Sequence, residues 1–422
     1  MADYARELER RICQDRHTTA YPLDPSEWAA YSRPGDLQFG RSGRLSFYLH
    51  VPFCEHLCRF CEYTRCRVPS EEVQGRYLDV IGNDIDRFIS RHPDILLEGL
   101  DIGGGTPTSL SLANFDRLMK MAHEIMWRLP LTADFEPSIE ATFHTLTPER
   151  IRMIADAGFR RVSLGVQSTG SGILGGTGRD PALQTLRRMA KVIDAIRAVG
   201  DFKINLDFMY GFEGHGSVGE GDFHAVRELC PEQVTLYELR TNQLSGYGRD
   251  ESPDSRFRDY ARWHDFLVGE GYHGEFGRNT FSLDATDFGV SSYLRHRMLE
   301  GADYKGFGIS AQSMSGGGVA YNVGKNHGDL LSLIDRDSYD AVSHYGLPPL
   351  EKFAKFVCVS SYSGGFDRRV ARERFVPDFD SRFGGLVDFL VSSGLVSVSG
   401  DRIVLTRLGF RHYGAVMSLF YR

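Results

Sequence analysis

Phe47-Tyr-Leu-His-Val-Pro-Phe-Cys54-Glu-His-Leu-Cys58-Arg-Phe-Cys61 is the stretch on which the reading of this chain turns. It is an apolar, strand-like segment that runs directly into three cysteines at C-x3-C-x2-C spacing. Three thiolates so placed ligate three irons of a [4Fe–4S] cube and leave the fourth corner open. An open iron chelates the amino and carboxylate groups of S-adenosylmethionine, and an electron from the cluster cleaves the sulfonium to a 5′-deoxyadenosyl radical. The competing reading, a zinc site, wants four protein ligands from paired clusters, and no second Cys/His pair has such spacing. Cys66 is open to three readings: a fourth ligand, a redox thiol, or, the favoured one, a core residue. Cys13, Cys230 and Cys358 are isolated and need no function.

Composition narrows the class. The chain has 422 residues, 41% of them hydrophobic and 25% charged, which suits a large α/β domain with an appendage. Its net charge of −7 argues against a dedicated binder of nucleic acid or anionic membrane. Seven cysteines, three in one cluster, do not form a disulfide framework. The charged amino terminus lacks the apolar core of a secretory signal, and no apolar run approaches membrane-spanning length. The expected location is the cytoplasm.

From Leu45 a βα alternation begins. Leu45 to Val51 reads as a strand and Ser70 to about Ser90 as an amphipathic helix. Leu97 to Ile102 is a strand ending in Gly103-Gly-Gly-Thr-Pro107, and Leu112 to Trp127 is the next helix. Further strands are expected at Phe135 to Phe143, Arg161 to Gly165, Phe202 to Met209 and Gln233 to Tyr237. Helices are expected after Thr147-Pro148 and over Pro181 to Val199. Six strands alternating with helices predict a parallel sheet with right-handed crossovers, curled into a partial barrel. The expected divisions are an arm at 1–42, a barrel core at 43–240, an extension at 241–345 and a helical, winged-helix-like unit at 346–422.

Gly103 to Gly105 follow a strand, where backbone without Cβ atoms approaches a small cofactor closely. Glu140, Gln167 and Asp207 stand near the ends of successive apolar strands. Polar groups there are either paired in the core or aimed at a shared polar ligand. Arg179, after Gly175-Gly-Thr-Gly178, is suited to a charge-assisted bond with a carboxylate.

These motifs together resemble the oxygen-independent coproporphyrinogen III dehydrogenase-like (HemN-like) radical S-adenosylmethionine family, from about Tyr21 to the carboxyl terminus. The marks are Thr18-Thr-Ala-Tyr-Pro22, Tyr48 to Cys54, the cysteine triplet, Gly103 to Thr108, Gly158 to Gln167, Asn205 to Gly211, Gly308 to Met314, Tyr321-Asn322 and Leu405 to Gly409. The resemblance implies an α/β fold, a partial (β/α)6 TIM-like barrel, with a [4Fe–4S] cluster on Cys54, Cys58 and Cys61. It also implies S-adenosylmethionine, in many members two molecules. Matched by motif, Tyr48 and Phe60 flank the cofactor, Gly104 and Thr106 contact its methionine end, and Glu140, Gln167, Arg179 and Asp207 hold its polar groups. Ala311 and Gln312, within Gly308 to Met314, line the second cofactor or the substrate.

Two departures bear on the substrate. Tyr63 stands where the dehydrogenases carry a further cysteine, and Arg240 where they carry a small residue near the second cofactor. They direct the leading expectation to C-methylation or cyclopropanation of an unsaturated small molecule, with the second S-adenosylmethionine as donor. Oxidative decarboxylation of a porphyrinogen propionate, or another tetrapyrrole reaction, is the alternative, and a heme chaperone on the same scaffold is a third. A small reducing protein such as flavodoxin or ferredoxin is the expected partner.

Overall fold

A computed structural model describes residues 2–12, 21, 25–40, 42–212, 219–239, 253–325 and 327–421. Arg240, Cys13 and most of the Thr18 to Pro22 motif lie outside the described residues.

Six parallel strands carry the architecture: β1 (Ser42–Val51), β2 (Asp94–Gly104), β3 (Ser138–Ala141), β4 (Arg161–Gln167), β5 (Lys203–Tyr210) and β6 (Gln233–Glu238). They lie side by side in chain order within a twelve-stranded sheet. Beyond β6 the antiparallel β7 (Thr280–Ser282) forms one edge. On the other side β8 (Tyr304–Phe307) runs parallel to β1, and β9 (Gln312–Ser315), β10 (Gly318–Tyr321) and β11 (Ser343–Tyr345) extend the sheet antiparallel. The outermost strand is Ser32–Pro34, paired with β11, so the arm is woven into the sheet.

Local chemistry sets the crossover helices. Ser70 caps Glu71–Arg91 by accepting from the Val73 N–H, and Ser111 caps Leu112–Arg128 in the same way. Thr147 caps Pro148–Asp156, with proline in the first turn, where no intrahelical N–H is needed. The span 181–199 is not one helix. A 3-10 turn, Pro181–Gln184, precedes Leu186–Val199, because Thr185 is extended and caps the second segment through the Arg188 N–H. β3 is shorter than the apolar run 135–143, since Pro137 has no N–H for the ladder and a turn closes at Thr142 to Thr145.

Side chains alternate across the strands with period two. Ile139, Val162, Leu164, Ile204, Leu206, Phe208, Val234 and Leu236 are buried in the main core. The other face is polar. Arg161 donates to Gln233 Oε1 and Ser138 Oγ, both at 2.8 Å. One layer higher, Asn205 donates to Ser163 Oγ at 2.9 Å and accepts from Thr235 Oγ1 at 2.9 Å. This polar face is the lumen of the sheet.

The carboxyl-terminal segment begins with helix Pro349–Ser360. Its three-stranded antiparallel sheet has Arg402–Leu405 between Gly365–Asp367 and Val396–Ser399. Helices Arg368–Arg374 and Phe379–Ser392 pack beside that sheet over an aromatic cluster of Phe353, Phe366, Phe379, Phe383 and Phe420. The helix Ala2–Ile12 reaches this end of the chain, where Arg11 donates to the Tyr421 carbonyl at 2.8 Å.

Candidate functional site: a cysteine loop over a polar chamber

After β1 the chain passes Pro52 into Phe53–Cys54, which pairs in parallel with Cys66–Arg67. The Cys66 N–H donates to the Pro52 carbonyl at 2.8 Å and the Val68 N–H to the Cys54 carbonyl at 3.1 Å. Residues 55–65 are thus a loop pinned at both ends, and it carries Cys58 and Cys61. Thr106 Oγ1 lies 3.7 Å from Cys54 Sγ, and Arg179 Nε donates to Cys58 Sγ at 3.4 Å. Burial pushes the Cys54 thiol up to about 12 and raises that of Cys61. Metal binding reverses this, because a coordinated thiol is deprotonated and its proton is released. Cys66 belongs to the pinning bridge and packs against the main core.

The glycine turn lies against this loop. The Gly105 N–H donates to the Val51 carbonyl at 2.7 Å and the Thr106 N–H to the Phe53 carbonyl at 2.8 Å. Gly104 has φ +109°, and a Cβ there would meet the His50 ring at 2.3 Å. A Cβ on Gly103 would lie 2.5 Å from the Glu140 carboxyl. His50 is buried, and desolvation takes it down to about 4, so it is neutral at pH 7, with Nε2 3.0 Å from the Thr64 carbonyl. The turn therefore brings backbone and the Glu140 carboxylate together at a closeness that only glycine allows.

Three carboxyls face the lumen above the Arg161 layer. Glu140 Oε2 accepts from the Gly104 N–H at 3.1 Å, and desolvation, joined by the charges of Asp207 and Asp101, pushes it up to about 7. Asp101 is likewise raised by desolvation to about 7. One of its oxygens accepts from Ser291 Oγ at 2.6 Å, and the other is buried without a hydrogen-bond partner. Asp207, also raised by desolvation, accepts from Ser163 Oγ at 2.9 Å and Asn205 Nδ2 at 2.8 Å. Glu140 is solvent-accessible even though protein closely surrounds it. Tyr63, 64% exposed, and Tyr237, 38% exposed, share that combination.

Of the residues expected from sequence, the structure groups Cys54, Cys58, Cys61, Tyr48, Gly104, Thr106, Glu140, Gln167, Arg179 and Asp207 at one end of β1–β5. Tyr48 lies beside Glu140, with its ring stacked on Tyr293 at 5.7 Å. Arg179 also donates to the Gly165 carbonyl at 2.7 Å, and Gln167, at φ +67°, turns its amide toward Gly165. Phe60 packs on Ile173, Met209, Phe212 and Leu239. Ala311 is buried in the turn between β8 and β9, and Gln312 joins a separate group of tyrosines. Sequence reasoning did not single out Asp101, His50, Tyr237 or Arg297, and read Tyr63 only as a missing cysteine. An acid between Leu100 and Ile102 in an apolar strand was the available signal for Asp101; Arg297 sits in a helix and gave none.

Three clustered thiols, a glycine turn where a Cβ would clash, and a carboxylate chamber beside them fit a [4Fe–4S] cluster with bound S-adenosylmethionine. Comparison with known proteins agrees. Residues 48–216 match the radical SAM superfamily model. The heme chaperone HemW of Bacillus subtilis is 26% identical over 386 residues, covering 86% of this chain and 96% of the relative. The oxygen-independent coproporphyrinogen III oxidase of Escherichia coli is 27% identical over 298 residues, 66% of this chain and 63% of the relative. The solved coproporphyrinogen III oxidase (HemN) of Escherichia coli has the same fold, with a TM-score of 0.73 at 22% identity, over 90% of this chain and 92% of that one. No helix among the described residues is long and apolar enough to cross a membrane. With its cysteine loop and polar lumen, the chain carries a radical SAM domain over residues 48–216 and has homologues among the HemN and HemW proteins.

Proposed function

We propose that this protein is a radical S-adenosylmethionine enzyme acting on a tetrapyrrole-type substrate, an unsaturated macrocycle bearing carboxylate side chains. The observation that carries the reading is the cysteine loop set over the carboxyls Glu140 and Asp207, in a chain whose relatives by name handle heme or coproporphyrinogen. When bound and reduced by a donor such as flavodoxin or ferredoxin, the cluster supplies the electron that cleaves S-adenosylmethionine. The chain's own residues do the rest. Cys54, Cys58 and Cys61 hold the metal, and the Gly103 to Gly105 backbone admits the methionine end. Glu140 and Asp207 accept hydrogen bonds from the cofactor's polar groups, with Gln167 and Arg179 alongside. Tyr48 and Phe60 exclude water from the adenosine. Anaerobic incubation of reduced, cluster-loaded protein with coproporphyrinogen III tests this: 5′-deoxyadenosine, carbon dioxide and a vinyl product are expected, and cofactor cleavage unaffected by any tetrapyrrole rejects it.

One observation favours a second reading, methyl or methylene transfer from a second S-adenosylmethionine. Tyr63 occupies the place of the dehydrogenases' further cysteine and fills part of the chamber wall. None of the relatives above is a methyltransferase by name. Methyl-deuterated S-adenosylmethionine separates the readings, since only transfer places deuterium in both 5′-deoxyadenosine and product. Tight heme binding without substrate-dependent cofactor cleavage would instead identify a chaperone, the activity named for the Bacillus subtilis relative.

A further inference from the structure

Helix Ser292–Leu299 lies against β2 where Gly99 leaves room for it, since a Cβ on Gly99 would meet the Tyr293 backbone at 2.5 Å. This approach places Tyr293 on Tyr48 and, one turn later, Arg297 beside the chamber. The Arg297 guanidinium is enclosed by neutral groups. Nη1 donates to the Tyr293 hydroxyl at 3.2 Å and Nη2 to Gln312 Oε1 at 3.3 Å, while its carbon sits 4.8 Å from the Tyr304 ring centroid. Its Nε is buried and has no hydrogen-bond acceptor, and among the described residues no carboxylate lies within ion-pair distance. Tyr63, two residues past Cys61, is within electrostatic range of Arg297, Glu140 and Cys61 alike, so this cation borders the space above the cysteines. Positive charge accumulates nearby: the Lys325 ammonium lies 4.4 Å from the Tyr321 ring centroid, and Tyr321 bonds Gln312.

A partly buried guanidinium that feels the Asp101 charge but forms no ion pair with it keeps donors to spare, and its fork of five N–H donors matches a carboxylate. We propose that Arg297 is a carboxylate anchor of the chamber, receiving the acid group of a flat unsaturated ligand whose ring stacks on Tyr48 and Tyr63. This deepens the functional reading above and rests on it for the identity of the chamber. The carboxylate has two possible sources, the substrate or the methionine end of a second S-adenosylmethionine.

The test is anaerobic titration calorimetry of the full-length, cluster-loaded protein, in the native chain and in Arg297→Gln and Arg297→Lys. The probes are 2-naphthoate, its neutral amide 2-naphthamide, and S-adenosylmethionine. Native protein should prefer the naphthoate over the amide by roughly tenfold or more, as a charge-assisted bond in a desolvated site gives. Arg297→Gln should remove the preference, and Arg297→Lys should keep part of it. Loss of a second equivalent of S-adenosylmethionine in Arg297→Gln supports the anchor with the cofactor as the source. Unchanged cofactor stoichiometry with the naphthoate preference lost supports it with the substrate as the source. Equal affinity of the native protein for naphthoate and amide, or a preference that survives Arg297→Gln, overturns the proposal. Because the readout is binding, a protein that cleaves no S-adenosylmethionine yet keeps the preference would refute the functional reading alone. Thermal melts of the variants confirm that each is folded, and Arg297→Lys carries the test if the glutamine variant is not.

Discussion

Two layers of one lumen behave in opposite ways. At the lower layer Arg161, Ser138 and Gln233 satisfy one another, and Gln233 passes its amide on to Asp287 at 2.7 Å. At the upper layer Asp101, Glu140 and Asp207 crowd three carboxyls together, and two of them are raised to about 7. Only β3 supplies both layers, and the two differ in burial: Arg161, Ser138 and Gln233 are buried, whereas Glu140 is exposed and Asp101 and Asp207 are partly so. The lower layer is complete within the protein, whereas the upper one holds hydrogen-bonding capacity that a ligand would use. Polar burial becomes a functional signal only when its partners are missing.

The largest expected effect is at the cysteines. Replacing Cys54, Cys58 or Cys61 with Ala should abolish the visible absorbance of the cluster and all cofactor cleavage, because each change removes one metal ligand. Cys66→Ala should keep both, and loss of the cluster in that variant would move Cys66 into the ligand set.

The next two predictions pull the layers apart. Arg161→Met leaves Gln233 Oε1 and Ser138 Oγ without their donor and should cost about 2–4 kcal/mol, seen as a lower urea midpoint. Cofactor bound per folded molecule should change much less. Glu140→Gln should do the reverse, lowering S-adenosylmethionine affinity by roughly 10- to 100-fold while leaving the urea midpoint level or raised. If the two variants respond alike, the layers are not distinct.

The smallest effect concerns proton linkage at Asp101. Its pKa rises on folding, so the folded state binds more protons than the unfolded state between about 4 and 7, and stability falls as pH rises through that window. Asp101→Asn keeps an acceptor for Ser291 and removes the charge. It should stabilise the protein by about 1 kcal/mol at pH 8, a discounted figure for a partly accessible group, with no gain near pH 4. Thermal melts across that range check it, and parallel curves for the two proteins would contradict it.

Much of this was legible in the sequence, for identifiable reasons. The cysteine spacing and the Gly103 to Gly105 turn are local features that report their own geometry. Glu140 and Asp207 could be placed because each follows an apolar strand. The break at Thr185 was not legible, since an apolar periodicity runs across the cap. Nor was the contribution of Arg297 and Tyr63, which come from a helix and a loop far apart in the chain and come within electrostatic range only through tertiary packing. Gly99 made that approach possible, yet a lone glycine within a strand announces no partner.

The two-residue bridge between Phe53–Cys54 and Cys66–Arg67 reaches beyond pairing. It ties the two ends of the cysteine loop together, so the entropy of closing that loop is met by the fold itself. Cluster acquisition then carries with it the release of protons from thiols that burial has raised.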